Sequence, residues 1–188
     1  MAEHVILFAG PMGAGKTTAI QSLSEIEVVR TEANNSERHI VDKATTTVAL
    51  DYGEIVIDGE DKVRLYGIPG QKRFDFMWAI LKKRAKGMIL LVNNDAPDPI
   101  AEMITFIDEF RELYDRGGVV VGISRSDVAD GPTLADFSAA LERTNPDLVI
   151  PVFTVDPRDR DQMEDVLLAL VVNIEMREAL GMTLAAAL

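Results

Sequence analysis

The chain has 188 residues, 47% of them hydrophobic and none of them cysteine, with 31 acidic against 19 basic side chains and a formal net charge of -12. That length and apolar content suffice for a single domain, 1–188, whose core needs neither metal nor cross-link. The missing cysteines exclude disulfide scaffolds, Cys-bound zinc and thiol nucleophiles, and fit a reducing, cytoplasmic setting. The acidic surface repels a nucleic-acid backbone, whereas a mononucleotide needs only a few local donors and one or two cations.

The first apolar run, His4 to Ala9, is one strand long and has no basic segment before it, so it reads as a buried strand and not as a signal or membrane span. Ala at position 2 and a cysteine-free TLAAAL ending leave no expected lipid anchor. Lys16 to Ser24 predicts a helix. Val28 to Lys43 is polar and aperiodic and predicts a connection. Val48 to Ile57 and Lys62 to Tyr66, separated by Asp58-Gly59, predict an antiparallel hairpin.

Gly67 to Gln71 predicts a turn, and the spacing of Phe74, Met77, Trp78 and Leu81 predicts the helix after it. Three strand and helix pairs follow: Met88–Val92 with Ile100–Tyr114, Val119–Ile123 with Leu134–Arg143, and Val149–Thr154 with Asp161–Leu180. Such alternation implies a three-layer α/β fold, with a mostly parallel six-stranded sheet, one antiparallel edge strand and helices on both faces. The tail from Gly181 is expected to fray.

Gly10-Pro-Met-Gly-Ala-Gly15-Lys16-Thr17 matches the phosphate-binding Walker A pattern and lies between a predicted strand and a predicted helix. Glycines let successive N–H groups turn inward on phosphate oxygens, so Gly10, Met12, Gly13, Ala14, Gly15 and Thr18 become candidate nucleotide contacts. Lys16 brings a cation to the terminal phosphates, Thr17 a hydroxyl for Mg2+, and the helix its positive end.

Further along, Pro69-Gly70-Gln71 resembles the end of the D-x-x-G-Q motif of Ras-like small GTPases of the P-loop superfamily. The resemblance gives Gly70 the role of sensing the γ-phosphate and Gln71 that of orienting the attacking water. Gly67 stands where the family has a magnesium-holding Asp, and Asp51, at the start of the hairpin, is the expected substitute. Thr45-Thr46-Thr47 resembles switch I, with Thr47 the expected ligand of magnesium and γ-phosphate.

Ser124-Arg125-Ser126-Asp127 resembles the guanine-reading N-K-x-D, with Asp127 in register and Arg125 able to lay its stem along a base. Thr154-Val155-Asp156-Pro157-Arg158 takes the position of the family's S-A-K segment, with Asp156 as the candidate contact. Pro157 has no N–H to offer there.

The resemblance spans about residues 4 to 175 and is greatest to bacterial GTPases of the MglA-like group. It implies GTP and GDP as ligands, Mg2+ as cofactor, slow and partner-stimulated hydrolysis, and a signalling role with a Roadblock/LC7-type protein and an effector at the switch segments. Phe74, Phe76, Met77 and Trp78 are candidates either for that effector surface or for core packing, with Phe76 expected to be more exposed than Met77. Arg30, Arg38, Arg73 and Arg84 are each conceivable as an arginine finger. Two alternatives stay open: a small-molecule kinase using ATP on the same loop, against which no arginine-rich lid is found, and a nucleotide-binding module without turnover.

Overall fold

The computed structural model describes residues 3–33, 48–57, 61–70, 75–116, 118–128 and 130–179. The strands are β1 (Glu3–Ala9), β2 (Val29–Ala33), β3 (Val48–Ile57), β4 (Asp61–Gly67), β5 (Gly87–Asn93), β6 (Val119–Ser124) and β7 (Val152–Thr154). The helices are α1 (Lys16–Leu23), α2 (Asp75–Arg84), α3 (Pro99–Glu109), α4 (Arg111–Arg116), α5 (Leu134–Thr144) and α6 (Arg160–Ala179).

One sheet runs in the order β2-β3-β4-β1-β5-β6-β7. β1 pairs in parallel with β4 and β5, and β5, β6 and β7 continue in parallel. The α/β class is as expected, and β3 is the strand that runs against its neighbours. The sheet has one strand more than expected, β2, within the segment read as connection. It makes β3 an interior strand, so the antiparallel strand lies one place in from the edge. Edge strands tend to be short and to carry charged side chains. Val29-Arg-Thr-Glu-Ala33 alternates uncharged with charged residues, but over only five positions and with Val29 half exposed, too short a run to stand out as a strand.

β5 and β6 are buried along their whole length, as strands covered on both faces must be, and this is why both read as unbroken apolar runs. Two cores flank the sheet. On one face Ile20, Leu23, Val166, Leu167 and Leu170 of α1 and α6 cover Ile6, Phe8, Ile89 and Leu91. On the other, Trp78, Met103, Phe106, Phe110 and Phe137 cover Leu7, Leu90, Val92 and Val121.

The segment expected as one helix, Ile100–Tyr114, is divided at Phe110, whose fully buried ring turns into the core between α3 and α4. α3 begins with Asp98 accepting from Ala101 N–H at 3.0 Å and with Pro99 in its first turn. α5 begins with a capping box between Thr133 and Asp136. Both helices therefore start at a fixed residue, and the loops before them emerge at the carboxyl edge of the sheet.

Candidate functional site

The chain order places the crossing point of the sheet at β1: β2, β3 and β4 are laid down on one side of it, and the chain then crosses over to add β5, β6 and β7 on the other. In open α/β sheets, the crevice beyond the carboxyl ends of the strands at such a point is where ligands bind. The loop from Gly10 to Gly15 occupies this position and leads into α1.

Gly10, Gly13 and Gly15 all have positive φ, and Gly15 caps α1 at φ 94°. At Gly15 the requirement is double, because a Cβ there would come within 2.7 Å of the Pro157 ring. Pro157 thus lacks the donor that the resemblance would place there, and packs instead as a wedge against the phosphate loop. Met12 projects into solvent and Ala14 is buried beneath the loop.

The Lys16 ammonium donates to the carbonyls of Gly10 at 2.8 Å and Pro11 at 2.7 Å, which fixes it along the inside of the loop. Burial lowers its pKa to about 8, against the opposing pull of the Asp51 carboxylate. The Thr17 hydroxyl, on the first turn of α1, donates to the Asp51 carboxylate on β3.

Asp51 lies directly opposite Gly67 in the β3–β4 ladder. A Cβ at Gly67 would sit 3.1 Å from the Asp51 Cβ and 3.3 Å from its carboxylate oxygen. The space that a side chain at 67 would enter is therefore already bordered by the Asp51 carboxyl. A hydroxyl and a carboxylate are the hard oxygen donors that Mg2+ takes from a protein when phosphates and water complete its shell, so these residues fit the ion. Among the described residues no cluster of three or more His, Cys, Asp or Glu could hold a metal without such help.

Gly70 lies against the loop from the other side: a Cβ there would be 2.3 Å from the Gly10 carbonyl oxygen and 3.1 Å from the Met12 nitrogen. The preceding carbonyl, of Pro69, accepts a hydrogen bond from the Trp78 indole at 3.0 Å. Trp78 is buried, its ring 5.4 Å from Phe110 and 6.0 Å from Phe106, so it belongs to the core and not to an effector surface. Phe74, Gln71 and Thr45 to Thr47 lie outside the described residues, as do the side chains of Phe76, Met77, Arg30, Arg38 and Arg73; Arg84 is exposed on α2.

Beside the loop is a cavity of about 690 Å³, within the range of small-molecule sites, walled by three separate segments. They are Gly13–Gly15 with Thr18, Ser124–Val128, and Thr154–Arg158. Arg125, Asp127 and Asp156, all expected from the sequence, meet here. The Arg125 backbone is left-handed, at φ 59°, and its guanidinium pairs with Asp95 at 2.8 Å. Asp156 is gripped by Arg158, through Nη2 at 2.7 Å and Nε at 2.9 Å, which holds its pKa down to about 2.

Several participants lie outside the contacts expected from the sequence. Asn93 and Ser124, register partners at the ends of β5 and β6, are hydrogen-bonded at 3.1 Å, and the Asn93 amide is 3.9 Å from where a Gly13 Cβ would be. Asp95, Arg158 and Gln162 also line the cavity. The signal that could have found Asn93 is a buried polar residue ending an apolar strand at the carboxyl edge of a parallel sheet.

No protein-family model matches the chain. It is 25% identical over 128 residues to intraflagellar transport protein 22 of Chlamydomonas reinhardtii, covering 65% of this chain and 64% of that protein. The chain thus spans less than two thirds of that relative's length. It is also 25% identical over 165 residues to the uncharacterised protein MJ1339 of Methanocaldococcus jannaschii, covering 86% of this chain and 92% of that one. Neither name points to the bacterial MglA-like group. No helix among the described residues is long and apolar enough to cross a membrane.

Proposed function

We propose that the chain is a small GTP-binding protein of the Ras-like kind, a nucleotide-dependent switch with slow GTP hydrolysis. The observation that carries this reading is the shared cavity, in which a Walker A loop, an Asp127-bearing loop and the Thr154–Arg158 segment face one space. Such a space can take the phosphates at Gly13 to Thr18 and a purine at Asp127, whose carboxylate suits the two adjacent N–H donors of guanine.

In this reading Lys16 and the loop amides bind the β- and γ-phosphates. Bound Mg2+ would neutralise phosphate charge, with Thr17, Asp51 and Thr47 as its protein ligands. Gly70 carries an N–H toward the terminal phosphate from its position on the loop, and Gln71 orients the water. Loss of the γ-phosphate would release the Pro69–Gly70 contact, and that change is the signal a partner reads. A Roadblock/LC7-type partner rests on the sequence resemblance alone.

The test is a competition titration of the full chain with fluorescent GDP and GTP against ADP, ATP and GMP, with magnesium and with EDTA. Guanine preference that disappears in Asp127→Ala supports the reading, whereas adenine preference rejects it. Single-turnover hydrolysis by the wild type and by Gln71→Ala then separates a slow GTPase from a module without turnover.

A further inference from the structure

The rim of the cavity carries two arginines and three aspartates, Arg125 and Arg158 with Asp95, Asp127 and Asp156. Each arginine is committed to one carboxylate: Arg125 to Asp95 at 2.8 Å and Arg158 to Asp156 at 2.7 Å. Among the described residues, Asp127 has neither a hydrogen-bond nor a salt-bridge partner for its carboxylate, although its charge acts on the Arg158 cation.

The geometry points to Asp156 as a positioning residue for base recognition: it holds the Arg158 guanidinium back from Asp127, so that Asp127 stays open to guanine. This rests on the proposed guanine reading and adds to it the device that keeps the base site vacant of the chain's own side chain.

The chemistry gives the reason. A guanidinium is always charged and presents parallel N–H groups that match a carboxylate in a two-pronged grip. Guanine presents the same fork, N1–H beside the 2-amino group, so an unrestrained Arg158 is an internal competitor for Asp127. Adenine has no such fork and does not compete for that carboxylate.

Asp156 is well placed to win Arg158. Besides the three side-chain bonds, the Arg158 backbone N–H donates to Asp156 Oδ1 at 2.9 Å. The Asp156 N–H is itself anchored to Gln162 Oε1 at 2.9 Å, and Gln162 is tied to Asp159 at 2.8 Å. Pro157 between them is wedged against Gly15. The grip on Arg158 is thus built on a segment that the phosphate loop and α6 both hold.

The experiment measures GDP and ADP affinities for the full-length wild type, Asp156→Ala, Asp156→Asn and the double variant Asp156→Ala/Arg158→Ala, at low and high salt. Release of a charge-assisted competitor is expected to lower GDP affinity about tenfold in both single variants, with ADP affinity unchanged and the loss smaller at high salt. The double variant is expected to return to within about twofold of the wild-type GDP-to-ADP ratio, because the competitor is gone.

A merely structural role for Asp156 would lower GDP and ADP affinity together and would not be rescued by removing Arg158. That result, or an unchanged ratio in both single variants, overturns the inference while leaving guanine preference and the Asp127→Ala effect standing. A wild type with no preference for GDP over ADP overturns the guanine reading itself. Should Asp156→Ala fail to fold, the isosteric Asp156→Asn decides the outcome.

Discussion

The Thr17 hydroxyl, on the first turn of α1, donates to the carboxylate of Asp51, which stands on β3 opposite Gly67. The pair joins a hydroxyl from the first turn of α1 to a carboxylate from a strand two places away from β1 in the sheet, and it brings together two oxygen donors of the kind that Mg2+ takes.

Asp51→Ala should therefore abolish most of the magnesium dependence of nucleotide binding while sparing what remains in EDTA. Loss of a direct metal-holding carboxylate is expected to cost at least the about 10- to 100-fold in metal affinity that follows loss of a partner merely orienting a ligand. Titrating magnesium into the nucleotide complex checks this. An Asp51→Ala protein that keeps the full magnesium effect would remove Asp51 from the metal site.

Lys16 gives a pH dependence with a definite sign. Burial brings its pKa down from 10.5 to about 8, so folding disfavours the proton. The cost is complete below the folded pKa and is relieved as pH rises from about 8 toward the unfolded value, so this group's contribution makes the apo protein more stable with rising pH in that window. Binding runs the other way, because phosphate needs the cation. Nucleotide affinity should hold level up to about pH 8 and then fall, by at most about tenfold per pH unit. Calorimetry in buffers of different ionisation enthalpy should register proton uptake on binding near that pH.

Gly70 fits against Gly10 and Pro11 with no room for a methyl group, the nearest atom being a carbonyl oxygen 2.3 Å from the position of a Cβ. Gly70→Ala must lift the Pro69–Gly70 segment off the loop. It is expected to cost about 1–3 kcal/mol, as overpacking does, and to lower the melting temperature by about 2–4 °C for each kcal/mol. A melting curve checks the cost, and the GTP-to-GDP affinity ratio should fall at the same time.

The single tryptophan of the chain reports on the same segment. Its indole N–H binds the Pro69 carbonyl, and its ring packs on Phe106 and Phe110. Its emission should be that of a buried indole and should change on exchange of GDP for a non-hydrolysable GTP analogue. Trp78→Phe, which keeps an aromatic ring and loses the donor, is expected to cost about 1 kcal/mol and to loosen the Pro69–Gly70 contact. Identical spectra in the two nucleotide states would separate Trp78 from switching.

Legibility divides along a physical line. The phosphate loop and the order of strands and helices are written in local patterns, a glycine-rich spacing and an alternation of apolar runs, and the structure agrees with them. Trp78 was ambiguous because a helical stripe gives the period of the buried face and not its extent; only packing on Phe110 decides that it is core. β2 is hidden in the sequence because a five-residue edge strand alternates too briefly to stand out from the polar residues that follow it. The Asn93–Ser124 bond depends on the register of β5 against β6, and the Arg158–Asp156 grip on how the turn after β7 folds; neither is encoded by spacing alone. Asp51 was legible only as a carboxylate available to replace a missing one. Its meeting with Thr17 needed the β3–β4 register.

That register yields a compensating pair. Gly67→Asp in the wild type would introduce a second carboxylate, with its Cβ 3.1 Å from that of Asp51 and 3.0 Å from the Ile20 Cδ1, into space with little to spare. Crowding and like charge should make this variant less stable and no better a magnesium binder. In an Asp51→Ala background both objections are reduced, since the competing carboxylate is gone and part of its volume is free. Gly67→Asp/Asp51→Ala should then recover part of the magnesium-dependent affinity that Asp51→Ala loses, by supplying the carboxylate from β4 in place of β3. Magnesium titrations of the two single variants and the double variant form a cycle that isolates the coupling. Recovery in the double variant would establish one metal-holding position reached from either strand. Simple addition of the two losses would mean that a carboxylate on β4 does not substitute for Asp51.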